Sequence, residues 1–307
     1  MRVTQSMLSN NMLRNLSTSY NKMGKLQEQI TTGKKVNRPS DNPVVVMKGM
    51  AYRMQVDKID QYKDNLGEVN NWLDSSDDAL DKVGSVLHRL TELVDKAATG
   101  SLTDTDRAKI ESEIIQIREQ IQDMANTKVG DKYIFSGTKT DSPLYDKTAT
   151  YPDGYPPLDA NGVSTPPGFT NAVEIEVFDG ITMNVNTDAV ALFKGIDDML
   201  ERLLTRVDPP TPDGEQEKFS NEISEVSKQL DEVLKLRADI GARQNRSDMM
   251  ENRLDAQEGS AKKQMSENED VEYEKAITDM ITEEAIHRAA LSVGARIIQP
   301  SLVDFLR

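Results

Sequence analysis

The stretch Tyr62–Val94, YKDNLGEVNNWLDSSDDALDKVGSVLHRLTELV, decides how the rest of this sequence is read. Tyr62, Leu66, Val69, Leu73, Ser76, Leu80, Val83, Leu87, Leu90 and Val94 follow one another in alternating steps of four and three. That spacing is the seam of a heptad helix with one polar interruption, Ser76. Asp41 and Asn42 ahead of Pro43 supply a helix start, with proline in the first turn where its missing N–H goes unmissed. From Pro43 to the stop at Ala98–Gly100 a single helix is predicted, roughly 80 Å long at about 1.5 Å per residue. Globular helices average roughly 11–12 residues. This one is a rod.

Outward from that rod the same spacing recurs. Thr103 with Asp106 resembles a capping box, and Ile110, Ile114, Ile117, Ile121 and Met124 follow it. Phe193, Ile196, Leu200, Leu203 and Val207 predict a short helix closed by Pro209 and Pro210. A second long helix starts near Glu215 with Phe219, Ile223, Val226, Leu230, Val233, polar Arg237 and Ile240; its seam fades past Gln244, with Leu254 still in phase. At the chain ends Met12, Leu16, Ser19, Met23, Leu26 and Ile30 run up to Gly33, while Leu291, Ala295, Ile298, Leu302 and Phe305 close the sequence around Pro300. Two amphipathic helices bracketing everything else are expected to pair with each other.

Residues 131–188 break the pattern. Gly137, Gly154, Gly162, Gly168 and Gly180, with prolines at 143, 152, 156, 157, 166 and 167, exclude helix there. Val173–Val177 and Ile181–Val185 alternate apolar and polar around Asp179-Gly180, which reads as a β-hairpin. A two-residue turn would set Val177 against Thr182. A three-residue loop, Phe178 to Gly180, pairs Val177 with Ile181 and Ile175 with Met183, and is preferred, with Gly180 left-handed. The predicted fold class is therefore α+β: an elongated rod of long antiparallel heptad helices formed by both chain halves, with an inserted β-rich domain and paired terminal helices. The expected domains are residues 1–43 with 268–307 as a terminal helical layer, 44–130 with 189–267 as a long helical bundle, and 131–188 as an outer β-rich domain.

Composition narrows the function. The net charge is −15, so nucleic acid and anionic membrane surfaces are poor partners, because both need a clustered cationic face. No cysteine exists to form a disulfide, a thiolate nucleophile or a metal ligand. No window approaches the roughly 20 apolar residues of a membrane span. MRVTQSMLSNNML lacks the apolar run of a cleavable signal peptide, so any export is expected to read an uncleaved terminus. Of the two histidines, His287 sits in Glu284-x-x-His287, half of a di-iron carboxylate pattern, but Ser85, Val86 and Leu87 precede His88 with no carboxylate to complete it. Metalloprotease, Walker-type, dinucleotide and nucleophile-elbow motifs are missing. Asp77-Asp78 and Glu283-Glu284 read as solvated helix faces, and Lys34-Lys35 as a solvated turn. No catalytic, cofactor or metal residue is assigned.

Four segments carry a resemblance. RVTQSMLSNNMLRNLSTSYNKMGKLQEQITTGKKVNRPSDNPVVV at the start, AIHRAALSVGARIIQPSLVDFL at the end, ADIGARQNR at 238–246 and KYIFSGTKTDSPLY at 132–145 together resemble the flagellin-like family of bacterial flagellar axial proteins. The loop Arg38-Pro39-Ser40-Asp41-Asn42-Pro43 and the ending Pro300–Leu306 resemble members that join hook to filament more than the filament subunit, flagellin, which stays as the alternative. The resemblance implies a secreted structural subunit of the extracellular flagellum, exported by a type III apparatus with a cytoplasmic export chaperone. Its implied partners are copies of itself, a neighbouring hook-associated protein and flagellin. It implies subunit-to-subunit contacts through Leu8, Met12, Leu16, Met23, Leu26 and Ile30 with Leu291, Ile298, Leu302 and Phe305. It also implies that Arg38, Pro39, Ser40, Asp41, Asn42 and Pro43 form a loop between inner and outer layers.

The terminal segments hold few large apolar side chains for the number of residues they must order, and ordering each residue opposes folding by roughly 1–2 kcal/mol. Neighbouring copies should supply the missing contact. Amide exchange should therefore be only weakly slowed over residues 1–30 in the free chain and strongly slowed after assembly; equal protection in both states would refute this.

Overall fold

A computed structural model describes residues 5–98, 104–146, 151, 153–159, 162–165, 167–207 and 215–298. The elements run α1 (Gln5–Thr32), α2 (Pro43–Ala98), α3 (Asp104–Ala125), β1 (Lys128–Val129), β2 (Lys132–Tyr133), β3 (Glu174–Phe178), β4 (Ile181–Asn184), α4 (Val190–Val207), α5 (Glu215–Glu269) and α6 (Tyr273–Ile298). Two compact units result, residues 1–59 with 256–307, and residues 60–255. The fold is α+β, with long helices from both chain halves, paired terminal helices and two small antiparallel sheets.

Helix α2 spans the predicted 43–98, and every seam position from Tyr62 to Val94 is buried. Asn42 caps it, its Oδ1 accepting from the amides of Val44 and Val45 at 3.2 and 3.3 Å, with Pro43 next in the first turn. The polar seam residue Ser76 is satisfied within the helix, donating to the Trp72 carbonyl at 2.8 Å. Helix α5 answers with Val226, Val233, Ile240, Ser247, Leu254 and Ala261, seven residues apart and all buried. Beyond Gln244 this row alternates serine, leucine and alanine, so the contact persists where the hydrophobic signal fades.

Polar rungs hold the two helices antiparallel in register. Arg237 grips Asp77 with Nε at 2.8 Å and Nη2 at 3.2 Å, and reaches Asp81 at 2.5 Å. Gln244 donates to Asp74 at 2.8 Å, Ser247 to Asn70 at 2.6 Å, and Lys63 pairs with Asp255 at 2.5 Å. Partner numbers fall along α2 as they rise along α5. The forked Arg237 contact is the specific one, because a guanidinium reads the direction of a carboxylate as well as its charge.

Helices α3 and α4 are joined by a second fork. Arg118 donates to both oxygens of Asp197, at 2.9 and 2.7 Å, and Gln122 adds a third bond at 2.9 Å. Asp197 is buried, so this full satisfaction is what makes its charge tolerable there. The hydrogen bonds to Asp197 also raise the Arg118 guanidinium above its ordinary range.

The β-rich segment packs on this core through Phe135, whose ring meets Phe193 of α4 edge-on at 5.2 Å. Asn126 fastens its base, donating to the Tyr145 carbonyl at 2.8 Å and accepting from the Tyr145 amide at 2.9 Å. In the hairpin Ile175 pairs with Met183 as expected, but Phe178, not Val177, pairs with Ile181. The turn is the two-residue Asp179-Gly180, and a bulge between Glu176 and Phe178 takes up the extra residue. The bulge lets Val177 stay fully buried while Phe178 stacks on Tyr62 at 6.0 Å with Arg253 over its ring at 4.3 Å. Gly180 is left-handed, as predicted.

Gly137 is held at φ 56, and a Cβ there would overlap the carbonyl oxygens of Gly168 and Phe169. Both ordinary escapes, a φ change or a moved side chain, are closed, since the obstacle is backbone. Gly137→Ala should therefore lose about 2–3 kcal/mol of stability. Gly241→Ala, on α5 with nothing within 4 Å of its Cβ position, should gain about 0.5–1 kcal/mol. Denaturant melts of the two variants check this pair of opposite signs.

Candidate assembly surface

In the first unit α1 and α6 lie antiparallel. Ser19 donates to Glu283 at 3.2 Å, Lys22 pairs with the same carboxylate at 3.2 Å, and the Tyr20 and His287 rings sit 6.2 Å apart. Near one end the tip of the Met12 side chain lies over Gly294, where a Cβ would meet it. The face of α6 turned to α1 is Ala276, Met280, Glu283, His287, Ala290 and Gly294, a heptad row of mostly small or polar residues that ranges from half-buried to buried. Small residues let two helix backbones approach closely, and α1 fills the space with its larger side chains.

This arrangement places the expected interface residues in two groups. Met12, Leu16, Met23, Leu26 and Ile30 are half-buried toward α6, with Ser19 buried among them. Leu291, with Ala295, belongs instead to the neighbouring row, one residue round from the contact face. That row runs back to Ile281 and Ile277, and Ile277, Ile281 and Leu291 are 46%, 61% and 48% exposed. The row that holds Glu283, His287 and Gly294 makes the contact with α1, and Leu291, expected to meet adjoining copies, stands exposed beside it. Ile277 and Ile281 carry no mark in the sequence except that they stand in heptad phase with Leu291. Leu8 and Ile298 lie on α1 and α6 by their backbone, with side chains outside the described set, and Leu302 and Phe305 lie outside the described residues.

The segment after α1 folds back as a clasp. Gly33 ends the helix at φ 72, its amide bonded to the Gln29 carbonyl at 2.9 Å. The Lys35 amide then donates to the Glu269 carbonyl at 2.6 Å, and the Val271 amide to the Gly33 carbonyl at 3.0 Å. Side chains reinforce the join: Lys34 meets Asp270 at 2.7 Å and Glu269 at 3.4 Å, and Arg53 meets Glu269 at 2.6 Å. The bond from Lys34 lowers the Asp270 carboxyl below its usual range, and the same bond raises the Lys34 ammonium. Further along, Arg38, Pro39, Ser40, Asp41, Asn42 and Pro43 are all exposed; Asp41 is tied to Lys25 at 2.8 Å, which holds its carboxyl low.

The residues weighed for chemistry find plain roles. Glu284 pairs with Arg288 one turn on, and His88 is exposed. Among the described residues no group of three or more His, Cys, Asp or Glu could hold a metal ion, and no helix is long and apolar enough to cross a membrane. The surface presents apolar rows and a clasp.

In chain order, paired terminal helices bracket the long helices and a β-rich insert. The profile of the bacterial flagellin N-terminal helical region matches residues 3–140, and that of the C-terminal helical region matches residues 223–306. Together they cover more than half of the chain, which belongs to the bacterial flagellin family. Within it, the chain is similar along nearly its whole length to flagellar hook-associated protein 3 of Escherichia coli strain K12, at 25% identity over 94% of this chain and 93% of that one. Flagellar hook-associated protein 3 of Salmonella typhimurium is 24% identical over 94% and 95% of the two chains. In fold, the chain resembles the crystal structure of flagellar hook-associated protein 3 from Legionella pneumophila, with a TM-score of 0.60, 14% identity, and coverage of 71% of this chain and 98% of that one.

The clasp should respond to pH at both extremes only. Asp270 has a lowered carboxyl, so its contribution is complete above its unfolded value near pH 4 and is lost as pH falls through the lowered one. Lys34 has a raised ammonium, so its contribution is complete below about pH 10.4 and is lost as pH rises through the raised one. Both groups are part-exposed, so the effect is small, under about 1 kcal/mol. The Val271 amide shift, followed by NMR, should stay flat from pH 5 to 9 in wild type, and Asp270→Asn should abolish its acid-side change.

Proposed function

We propose that this chain is a structural subunit of the bacterial flagellum that joins the hook to the filament as a homo-oligomeric adaptor. The observation that carries the reading is the outward row Ile277, Ile281 and Leu291 on α6, beside an α1 whose own row is only half-covered. Each half-exposed side chain of this size gains on the order of 1 kcal/mol when a neighbour covers it. Repeated around a ring of subunits, those gains add up to an assembly. Full-length similarity to hook-associated proteins supports the position in the flagellum.

In this reading the terminal helices make the inner contacts, with Leu8, Met12, Leu16, Met23, Leu26 and Ile30 meeting Leu291, Ile298, Leu302 and Phe305 of adjoining copies. The Arg38–Pro43 loop connects inner and outer layers, and the β-rich segment 131–188 faces outward. Work is mechanical: apolar rows are buried between copies, and no bond is made or broken. The partners are copies of this chain, a neighbouring hook-associated protein, flagellin, and a cytoplasmic flagellar export chaperone met before type III export. The chain then resides at the junction, outside the cell.

Deleting the coding sequence from a motile host tests this. Hooks without filaments, with flagellin shed into the medium, are the expected result, restored by the wild-type gene but not by one carrying Leu291→Asp. Filaments and motility unchanged after deletion would overturn the junction role. Loss of flagellin itself from cells and medium alike would favour a filament subunit.

A further inference from the structure

At the start of α2 three methionines share one face. Met47, Met50 and Met54 are 67%, 58% and 65% exposed. At about 100° per residue they fall within about 60° of arc. The opposite side of the same stretch is occupied: Gly49 is buried against the Glu269 side chain, Arg53 pairs with Glu269, and the Val45 carbonyl accepts from Asn268 at 2.9 Å. The three thioethers therefore lie mostly exposed, on the side of α2 away from those contacts. Among the described residues exposed methionine is otherwise scattered, as at Met7 and Met249, and the core examples Met183 and Met199 are 2% and 0% exposed.

Methionine sulfur is a soft nucleophile, and its oxidation turns a flexible apolar side chain into a polar one. We propose that Met47, Met50 and Met54 form an oxidant-sensitive modification site, whose conversion to sulfoxide makes this face polar while leaving the fold intact. The co-reactant is a hydroperoxide. Each thioether sulfur donates an electron pair to the distal peroxide oxygen, an S–O bond forms as the O–O bond breaks, and with hydrogen peroxide the remaining oxygen leaves as water. Sulfur is oxidised by two electrons and the peroxide is reduced by two. Three conversions one and two turns apart act on a single surface, whereas conversion at Met7 or Met249 alters an isolated point. The site is a property of the single chain and does not require copies to associate.

The test is mild hydrogen peroxide treatment of the full chain, followed by peptide mapping, far-ultraviolet circular dichroism and hydrophobic-interaction chromatography. Sulfoxide should form at residues 47, 50 and 54 at least about tenfold faster than at Met183 and Met199. Helical signal should be unchanged, and the oxidised chain should elute earlier. The variant Met47→Leu/Met50→Leu/Met54→Leu keeps the face apolar and cannot be oxidised there, so peroxide should move its elution less than about a third as far. A smaller rate ratio, an equal shift in the leucine variant, or loss of helical signal on oxidation would each overturn the proposal.

Discussion

The register between α2 and α5 is the constraint on which the second unit depends. Two rows of buried side chains, Tyr62 to Val94 on one helix and Val226 to Leu254 on the other, could slide past one another with little change in apolar contact. Dispersion and water exclusion are not directional. What forbids sliding is the set of polar rungs, above all the Arg237 fork on Asp77 with its reach to Asp81. A slip of one heptad takes the guanidinium off the Asp77 fork and strands Ser247 away from Asn70. Apolar burial supplies the stabilisation, and the part-buried charges choose one alignment.

A related division of labour shapes the terminal helices. Glycine and alanine on α6 allow α1 to come close, and this close approach turns Ile277, Ile281 and Leu291 away from it. A chain built only for its own stability would reverse that choice and bury the larger residues. Instead Ile277, Ile281 and Leu291 remain about half exposed beside the contact face. The clasp of Gly33, Lys34 and Lys35 on Glu269, Asp270 and Val271 then fixes where α1 ends relative to the turn before α6.

Much of this was legible along the chain. Heptad steps placed α2 to within its true ends, because Asn42-Pro43 is a start signal that needs no tertiary partner. Gly33, Gly137 and Gly180 announced backbone turns and are left-handed. The misreadings share a cause. For the hairpin, alternation counted residues as if every one must pair, and the bulge at Val177 is decided by what Phe178 can reach, namely Tyr62 and Arg253. On α6 the row that meets α1 includes Ala276, Glu283, His287, Ala290 and Gly294, and small or polar residues at heptad spacing carry no hydrophobic signal. Past Gln244 the α5 row vanished for the same reason, since Ser247 and Ala261 are core residues without a hydrophobic signal.

What the sequence determined by itself is local and periodic: which segments are helices, where they start, which break, and which face of α2 is buried. Those follow from side-chain spacing, capping groups and backbone freedom within a few residues. The tertiary structure alone decided which rows meet. Whether a row faces a partner helix or solvent depends on how closely two backbones can approach, and on whether buried charges such as Asp197 find a fork like Arg118 waiting. Those are properties of residues far apart in the chain, and no spacing within one helix encodes them.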